Sequence, residues 1–233
     1  MNRALVLVLV AGCSGTLDEP WQLDHDRIIA VRATPPGIVT GEQSVLDLLV
    51  TYEAKPVEVR GPDAARVISP ASLADTLEPG TWTVTAPSEE RLAAARTELG
   101  LAAGAPVPLM IGLAVTWPYP VESPDGRTFT ATKTVWLGEH ADNPALTGMR
   151  VDEVPPADEI VVPKNAEVPL FVEADDTVDI IRWMTSCGEM HDFDLHNAYL
   201  KVLPDQPQQG QLVLIRRDGR GGVAWRIWPI RAE

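Results

Sequence analysis

Apolar and polar residues alternate along much of the chain. Between residues 45 and 52, Leu46, Leu48 and Val50 recur at every second position, while Asp47 and Thr51 lie between them. A period of two is typical of a β-strand with one buried face and one wet face. In the first half of the chain we predict strands at residues 28–34, 45–52, 81–85, 107–117 and 127–137.

One helix is predicted among these strands, over residues 89–99. Ser88 can cap its N-terminus, and Glu89 and Glu90 follow where the helix dipole favours acidic side chains. Gly100 supplies the stop. The apolar positions between them are rich in alanine, which indicates a helix that lies on the surface of a β-sandwich.

The second half of the chain repeats the strand pattern at shorter intervals. The final pair forms a strong hairpin signal, because alternating strands flank the glycine-rich turn at residues 218–222. Short, regularly spaced strands are typical of β-sandwiches. We predict these strands at residues 168–174, 179–185, 198–202, 211–217 and 223–230.

A proline-rich segment at residues 141–160 has few periodic apolar positions and is typical of a linker. We therefore predict an all-β fold with two immunoglobulin-like β-sandwich domains in tandem and one short helix inserted in the first. The domains are expected at residues 25–140 and 161–233. A polar tether at residues 13–24 and a signal peptide at residues 1–12 would precede them.

The first residues predict export. Arg3 precedes an uninterrupted apolar run at residues 4–10, which is shorter than the roughly 20 residues of a membrane span. The sequence VAGC at residues 10–13 resembles the lipobox of bacterial lipoproteins, which implies cleavage before Cys13 and lipidation of its thiol. Ser14 follows the cysteine. Similar lipoproteins that lack an inner-membrane retention residue at this position usually go to the outer membrane. The alternative is an ordinary signal peptide with a chance cysteine.

The chain is acidic, with 19 basic and 33 acidic residues and a net charge of −14. Loss of residues 1–12 would remove Arg3 and leave a net charge of −15. An acidic chain is repelled by phosphate backbones, so nucleic acid is not an expected partner. If Cys13 is lipidated, Cys187 is the one remaining cysteine, and no internal disulfide can form.

Residues 186–196, SCGEMHDFDLH, combine one thiol, two imidazoles and three carboxylates. We predict a turn and strand start whose polar side chains face water, because the apolar residues alternate toward the core and the possible ligands split between opposite faces. The alternatives are a divalent metal site, because such side chains are metal ligands, and a redox-active thiol. A structural zinc site is disfavoured, since a single cysteine gives no paired ligand spacing. The candidate ligands are Cys187, His191, Asp192, Asp194 and His196.

Motifs of common enzymes are missing from the sequence. It contains no G-x-S-x-G nucleophile elbow, no G-x-x-x-x-G-K phosphate loop and no H-E-x-x-H zinc helix. We therefore expect no catalysis and no cofactor, apart from the hypothetical metal.

The closing hairpin and the strand that carries Trp183, with Gly188 shortly after it, resemble the immunoglobulin-like and PKD-type sandwiches of bacterial surface proteins. The whole chain also resembles myxobacterial lipoproteins in which a phrase such as DHDRIIAVRATPPGIVTGE opens the first domain. These resemblances imply a fold and an outer-membrane, lipid-anchored address, on either the periplasmic or the outer face. The expected role is a structural or interaction module whose partner is an envelope protein or a polysaccharide.

Overall fold

The computed structural model describes residues 19–61, 64–117, 127–175 and 177–233. The first half of this part forms eight strands, one α-helix and one 3₁₀ helix. The strands are β1 (Arg27–Thr34), β2 (Gly37–Ile38), β3 (Gln43–Tyr52), β4 (Lys55–Val59), β5 (Ala64–Ser69), β6 (Thr83–Thr85), β7 (Val107–Trp117) and β8 (Arg127–Leu137). The helices are the 3₁₀ helix Ala71–Thr76 and α1 (Glu89–Leu99).

The second half of the described chain adds eight more strands. They are β9 (Arg150–Val151), β10 (Ile160–Val162), β11 (Glu167–Phe171), β12 (Ile180–Thr185), β13 (Glu189–His191), β14 (Asn197–Lys201), β15 (Gln209–Arg217) and β16 (Val223–Ala232). No helix in the part of the chain that the structure describes is long and apolar enough to cross a membrane.

The strands form four sheets, two in each half of the chain. In the first half, β1, β3 and β4, with β6 beside β3, make one sheet, and the order β2-β8-β7-β5 makes the other. In the second half the orders are β13-β14-β11-β9 and β10-β16-β15-β12. Both halves place a short early strand parallel to their last strand, β2 beside β8 and β10 beside β16.

The predicted fold class is confirmed, since each pair of sheets encloses its own apolar core. The second pair has the strand arrangement of an immunoglobulin-like sandwich, with Trp183 fully buried on the strand that corresponds to strand C. Trp183 packs with Trp228 and Leu200 in this core. The first core contains Leu48, Leu109 and their neighbours from both sheets.

Two features of the first sandwich differ from the sequence prediction. The 3₁₀ helix Ala71–Thr76 is a second helix where only α1 was predicted. The strands β2, β4 and β5 were missed, because β2 has only two residues and the residues of β4 and β5 are mostly exposed or half-buried. Ser88 precedes α1 as predicted, but its side chain makes no capping hydrogen bond, whereas Gly100 ends the helix in the left-handed conformation.

A third apolar cluster joins the two sandwiches. It is formed by outward-facing residues of β1 and β3 on one side and of β12, β15 and β16 on the other, with Leu23 between them. The wet face predicted for residues 45–52 is therefore wrong, since Asp47 and Thr51 are buried and Leu49 has no exposed surface. The members are Leu23, Ile29, Ala30, Leu49, Met184, Val213, Ile215, Val223 and Trp225.

Trp225 belongs to the apolar cluster and also makes polar contacts with the first sandwich. Its indole Nε1 donates a hydrogen bond of 2.7 Å to Glu58 Oε1 on β4. The Arg32 guanidinium lies 3.8 Å from the centre of the indole ring, within the range of a cation–π interaction. Asp47 holds Arg32 in place by accepting two hydrogen bonds, of 3.0 and 2.5 Å. The residue types at this surface therefore fix one orientation of the two sandwiches.

The segment predicted as a linker, residues 141–160, is packed in part. Asn143 donates to the Ala33 carbonyl at 2.9 Å and accepts a bond of 2.8 Å from the Val223 amide, so it bridges the two sandwiches. Met149 is buried in the second core, and β9 belongs to the second sandwich. The sequence pattern did not indicate these contacts, because each is made by a single residue and not by a periodic run of apolar positions.

The predicted tether at residues 13–24 also ends in packed structure. Trp21 is buried in the second core, and Leu23 has no exposed surface. The Leu23 amide donates to the Thr185 carbonyl at 3.0 Å, and the Thr185 amide donates to the Trp21 carbonyl at 2.9 Å. The chain therefore runs along the second sandwich before it enters the first.

Lys133 makes an unusual contact across the junction. It occupies the inward-facing row of β8 with Val135 and Leu137, and only 7% of its surface is exposed. Its Nζ donates to the Gly221 carbonyl at the tip of the β15–β16 hairpin. Burial lowers the pKa of Lys133 from 10.5 to about 8, although the nearby Asp218 carboxylate opposes the shift.

This burial predicts a pH dependence of stability. Lys133 has a lower pKa in the folded than in the unfolded chain, so between about pH 8 and 10.5 the unfolded chain binds more protons and stability rises with pH. The gain is expected to reach roughly 3 kcal/mol. Urea unfolding across this range should show the rise in the native protein and in the exposed-site control Lys164→Met, but not in Lys133→Met. Identical pH profiles for all three proteins would contradict the burial of this amine.

Candidate functional site

The five candidate metal ligands are placed apart, beginning with Cys187. Its side chain is 2% exposed and belongs to the second core. The backbone at this position is tied to Thr185, whose hydroxyl accepts from the Cys187 amide at 3.1 Å and donates to its carbonyl at 2.7 Å. Burial raises the pKa of the Cys187 thiol, so the thiolate that a metal or an oxidant would need is disfavoured.

The four remaining candidates lie on the surface or at its edge. His191 ends β13 and is exposed, and Asp192 follows it in the left-handed conformation with a φ of 54°. Asp194 lies 3.6 Å from Arg182 as an ion pair. The ring of His196 meets the Phe171 ring edge-on, with 5.9 Å between the ring centres.

Gly188 explains why the thiol and the imidazoles separate. It has a φ of +84°, and a Cβ at this position would lie 2.6 Å from the Lys201 carbonyl oxygen. Only glycine fits such a turn, which sends Cys187 into the core and starts β13 along the surface. Among the described residues, no three His, Cys, Asp or Glu side chains come close enough to hold a metal ion. The structure therefore does not assemble the hypothetical metal site.

The same region forms a different surface feature, on the outer face of the β13-β14-β11-β9 sheet. Alternation along β11 and β14 sends valine, leucine and alanine side chains to the core and leaves Phe171 and Tyr199 pointing outward. The strand register aligns His191 with Tyr199 in one cross-strand row. It aligns Arg150 with Phe171 in the next row. Aromatic, basic and imidazole side chains thus share one face.

An open groove of about 370 Å³ runs between these rows. The Arg150 guanidinium lies 4.3 Å from the centre of the Phe171 ring and covers one of its faces. Tyr199 is 40% exposed, and the loops beside the sheet expose Val154 by 59% and Leu195 by 51%. We call this feature the aromatic groove; its polar and aromatic lining residues are Arg150, Glu153, Phe171, Asn197 and Tyr199.

The aromatic groove is suited to binding. Tyrosine, phenylalanine and arginine are residue types enriched in the cores of protein interfaces. The two aromatic side chains offer a large contact area with few rotatable bonds, and the arginine guanidinium offers a planar set of hydrogen-bond donors. Asn197 and Glu153 add hydrogen-bonding groups beside them. The sequence analysis missed Arg150, Phe171 and Tyr199. Their signal was an aromatic residue at the polar position of an alternating strand, in residues 167–171 and 197–201.

Comparisons with known proteins show only distant likenesses. No protein-family model matches the chain, and no curated protein matches it. A nucleoside hydrolase-related hypothetical protein from Saccharophagus degradans has 13% identity and a TM-score of 0.31, over 40% of this chain and 26% of that one. The tandem Ig repeats of Dlar have 12% identity and a TM-score of 0.34, over 89% of this chain and 97% of that one.

Murine CEACAM1b has 9% identity and a TM-score of 0.29, over 90% of this chain and all of that one. Each of these TM-scores is below 0.5. The assignment of the fold therefore depends on the strand order of this chain's own sheets.

The placement of Cys187 predicts an unreactive thiol. In a Cys13→Ser variant, Cys187 is the one cysteine, and a thiol-specific disulfide reagent should label it only after denaturation. Added zinc or a chelator should leave the melting temperature unchanged, also in a Cys187→Ser, His191→Ala double variant made in the same background. Rapid labelling of the native protein, or a zinc-dependent rise in melting temperature that the double variant lacks, would contradict this placement.

Proposed function

We propose that this chain is a lipid-anchored, non-catalytic interaction module of a bacterial cell envelope, located at the outer membrane. The sequence supports the address through the short apolar run and the lipobox-like residues 10–13. Cys13 itself lies outside the described residues. The structure supports the role through one observation above all, the aromatic groove exposed on a sandwich that its neighbour holds in a fixed orientation.

A fixed orientation favours binding because a preorganised surface loses little entropy when a partner docks. The third apolar cluster and the bonds of Trp225 use the opposite sheet of the second sandwich, so the aromatic groove stays open. The second sandwich can therefore present its β13-β14-β11-β9 sheet to a partner while its other sheet packs against the first sandwich.

The side chains of the aromatic groove favour a protein partner over a polysaccharide. One face of the Phe171 ring is covered by Arg150, and the ring makes a T-shaped contact with His196, so Tyr199 is the more exposed of the two aromatic rings. The exposed Val154 and Leu195 extend the apolar surface beyond the groove, as expected of a surface that contacts another protein. We therefore assign the aromatic groove to an envelope protein.

Loss of the tyrosine ring tests this assignment. Crosslinking in the native envelope should recover one partner with the wild type, and Tyr199→Ala should reduce that recovery at least tenfold, as expected for an interface hot spot. Val161→Ala, which changes a residue 47% exposed on the opposite sheet of the same sandwich, is the matched control. Equal recovery with both variants would refute the assignment, as would a polysaccharide as the sole Tyr199-dependent ligand.

The lipid anchor is tested separately. Cys13→Ser should move the protein from the membrane fraction to the soluble fraction and abolish labelling with radioactive palmitate, because lipidation requires the thiol. Cys187→Ser is the control and should change neither property. A Cys13→Ser protein that stays in the membrane fraction and incorporates label would show that the address is wrong.

A further inference from the structure

The two sandwiches have equivalent sheet edges, but among the described residues only one of these edges is covered by other parts of the chain. The sheet orders β2-β8-β7-β5 and β10-β16-β15-β12 end at β5 and β12, so these strands occupy the same position. The β12 edge is partly covered by other parts of the chain. Leu23 and Trp21 bond the backbone of Thr185, and the Trp183 amide donates to the Phe193 carbonyl at 2.7 Å.

The β5 edge has no such cover from the described residues. Ala64–Ser69 pairs with β7 on one side, and no described strand or isolated bridge pairs with its other side. An edge strand presents a row of unpaired N–H and C=O groups, which natural proteins usually blunt with charges, proline or a covering segment. Here Arg66 is the one charged residue of the strand, and Ile68 is 46% exposed.

A wide groove of about 700 Å³ lies over the outer face of the sheet beside this edge. Gly112 and Ala114 of β7 are small residues that line this groove. The Ile68 side chain packs over Gly112, where an added Cβ would lie 3.0 Å from Ile68 Cδ1. Thr130 and Thr132 of β8 lie beyond them. Arg66 is the sole charged residue that lines the groove, and it is basic in a chain with a net charge of −14.

We propose that β5 is a docking edge for an extended segment of a partner polypeptide, which adds a strand to the sheet and places a carboxylate against Arg66. The unpaired backbone of β5 selects a polypeptide, because a second backbone supplies the matching row of donors and acceptors. The single basic side chain selects an acidic residue near the middle of that segment. The edge belongs to the first sandwich, whereas the aromatic groove belongs to the second, so this proposal goes beyond the function proposed above.

Two blocked hexapeptides of alternating threonine and valine test the proposal, one with a central glutamate and one with a central lysine. The glutamate peptide should slow hydrogen exchange of amides in Ala64–Ser69 and bind the wild type at least fivefold more tightly than the lysine peptide. Arg66→Glu should reverse this preference. Ile68→Lys, which places a second charge on the exposed edge, should weaken both peptides. Both positions are exposed, so the melting temperatures should stay within a few degrees of the wild type.

Several outcomes would overturn the proposal. One is an absence of protection in Ala64–Ser69, and another is an equal preference for the two peptides in the wild type and in Arg66→Glu. Concentration-dependent dimerisation through β5 that neither peptide displaces would identify a second copy of the chain as the occupant. Tyr199→Ala should bind the glutamate peptide as the wild type does, so the test separates this edge from the aromatic groove.

Discussion

The apolar layer between the two sandwiches is the constraint on which the other surfaces depend. Each sandwich has two sheets and could expose the outer face of both. Burial of Leu49, Ile215 and Trp225 commits one sheet of each to the junction, because fully buried side chains of this kind each contribute roughly 1.5–3 kcal/mol. The outer faces of the β2-β8-β7-β5 and β13-β14-β11-β9 sheets then remain as the broad surfaces that a partner can reach.

The junction is specific as well as apolar. Burying charge costs free energy unless the charge is paired, and Arg32 is paired with Asp47 while it covers the Trp225 ring. Arg217 donates to the Ile29 carbonyl at 2.7 Å, and Lys133 reaches the hairpin tip from the first sandwich. If the sandwiches slid or rotated, Arg217 and Lys133 would lose these carbonyl partners, and Arg32 would no longer cover the Trp225 ring. The polar groups therefore select one arrangement among the many that apolar contact alone would permit.

The sequence predicted the parts of this fold that depend on local periodicity. The strands β7 and β8 have the predicted bounds, and Gly100 ends α1 as expected. Contacts between distant residues could not be predicted in this way. Asp47 and Thr51 occupy polar positions in an alternating strand, a pattern typical of exposure, yet both are buried. Between them, Leu49 is buried in a cluster with residues more than 150 positions away, such as Val213 and Trp225.

The sequence singled out residues 186–196, but it did not indicate the side chains that line the aromatic groove. Residues 186–196 do begin a surface feature, since His191 and His196 flank the aromatic groove. The metal hypothesis assumed that nearby residues in sequence would converge. Gly188 instead divides them between the core and the surface, and the side chains that line the groove come from three strands of the sheet. Such a set is defined by strand register, which one sequence alone does not reveal.

If Cys13 carries the proposed lipid, the burial of Trp21 and Leu23 limits how far the folded body can lie from the membrane. Seven residues separate Cys13 from Trp21, and a fully extended chain over these eight Cα-to-Cα steps reaches about 28 Å. Because Leu23 lies in the junction, a lipid on Cys13 would attach the molecule to the membrane near the contact between the two sandwiches and not at the far end of either one. A tether of this length would keep the folded body close to the bilayer, and partners embedded in or attached to the same membrane would be within reach.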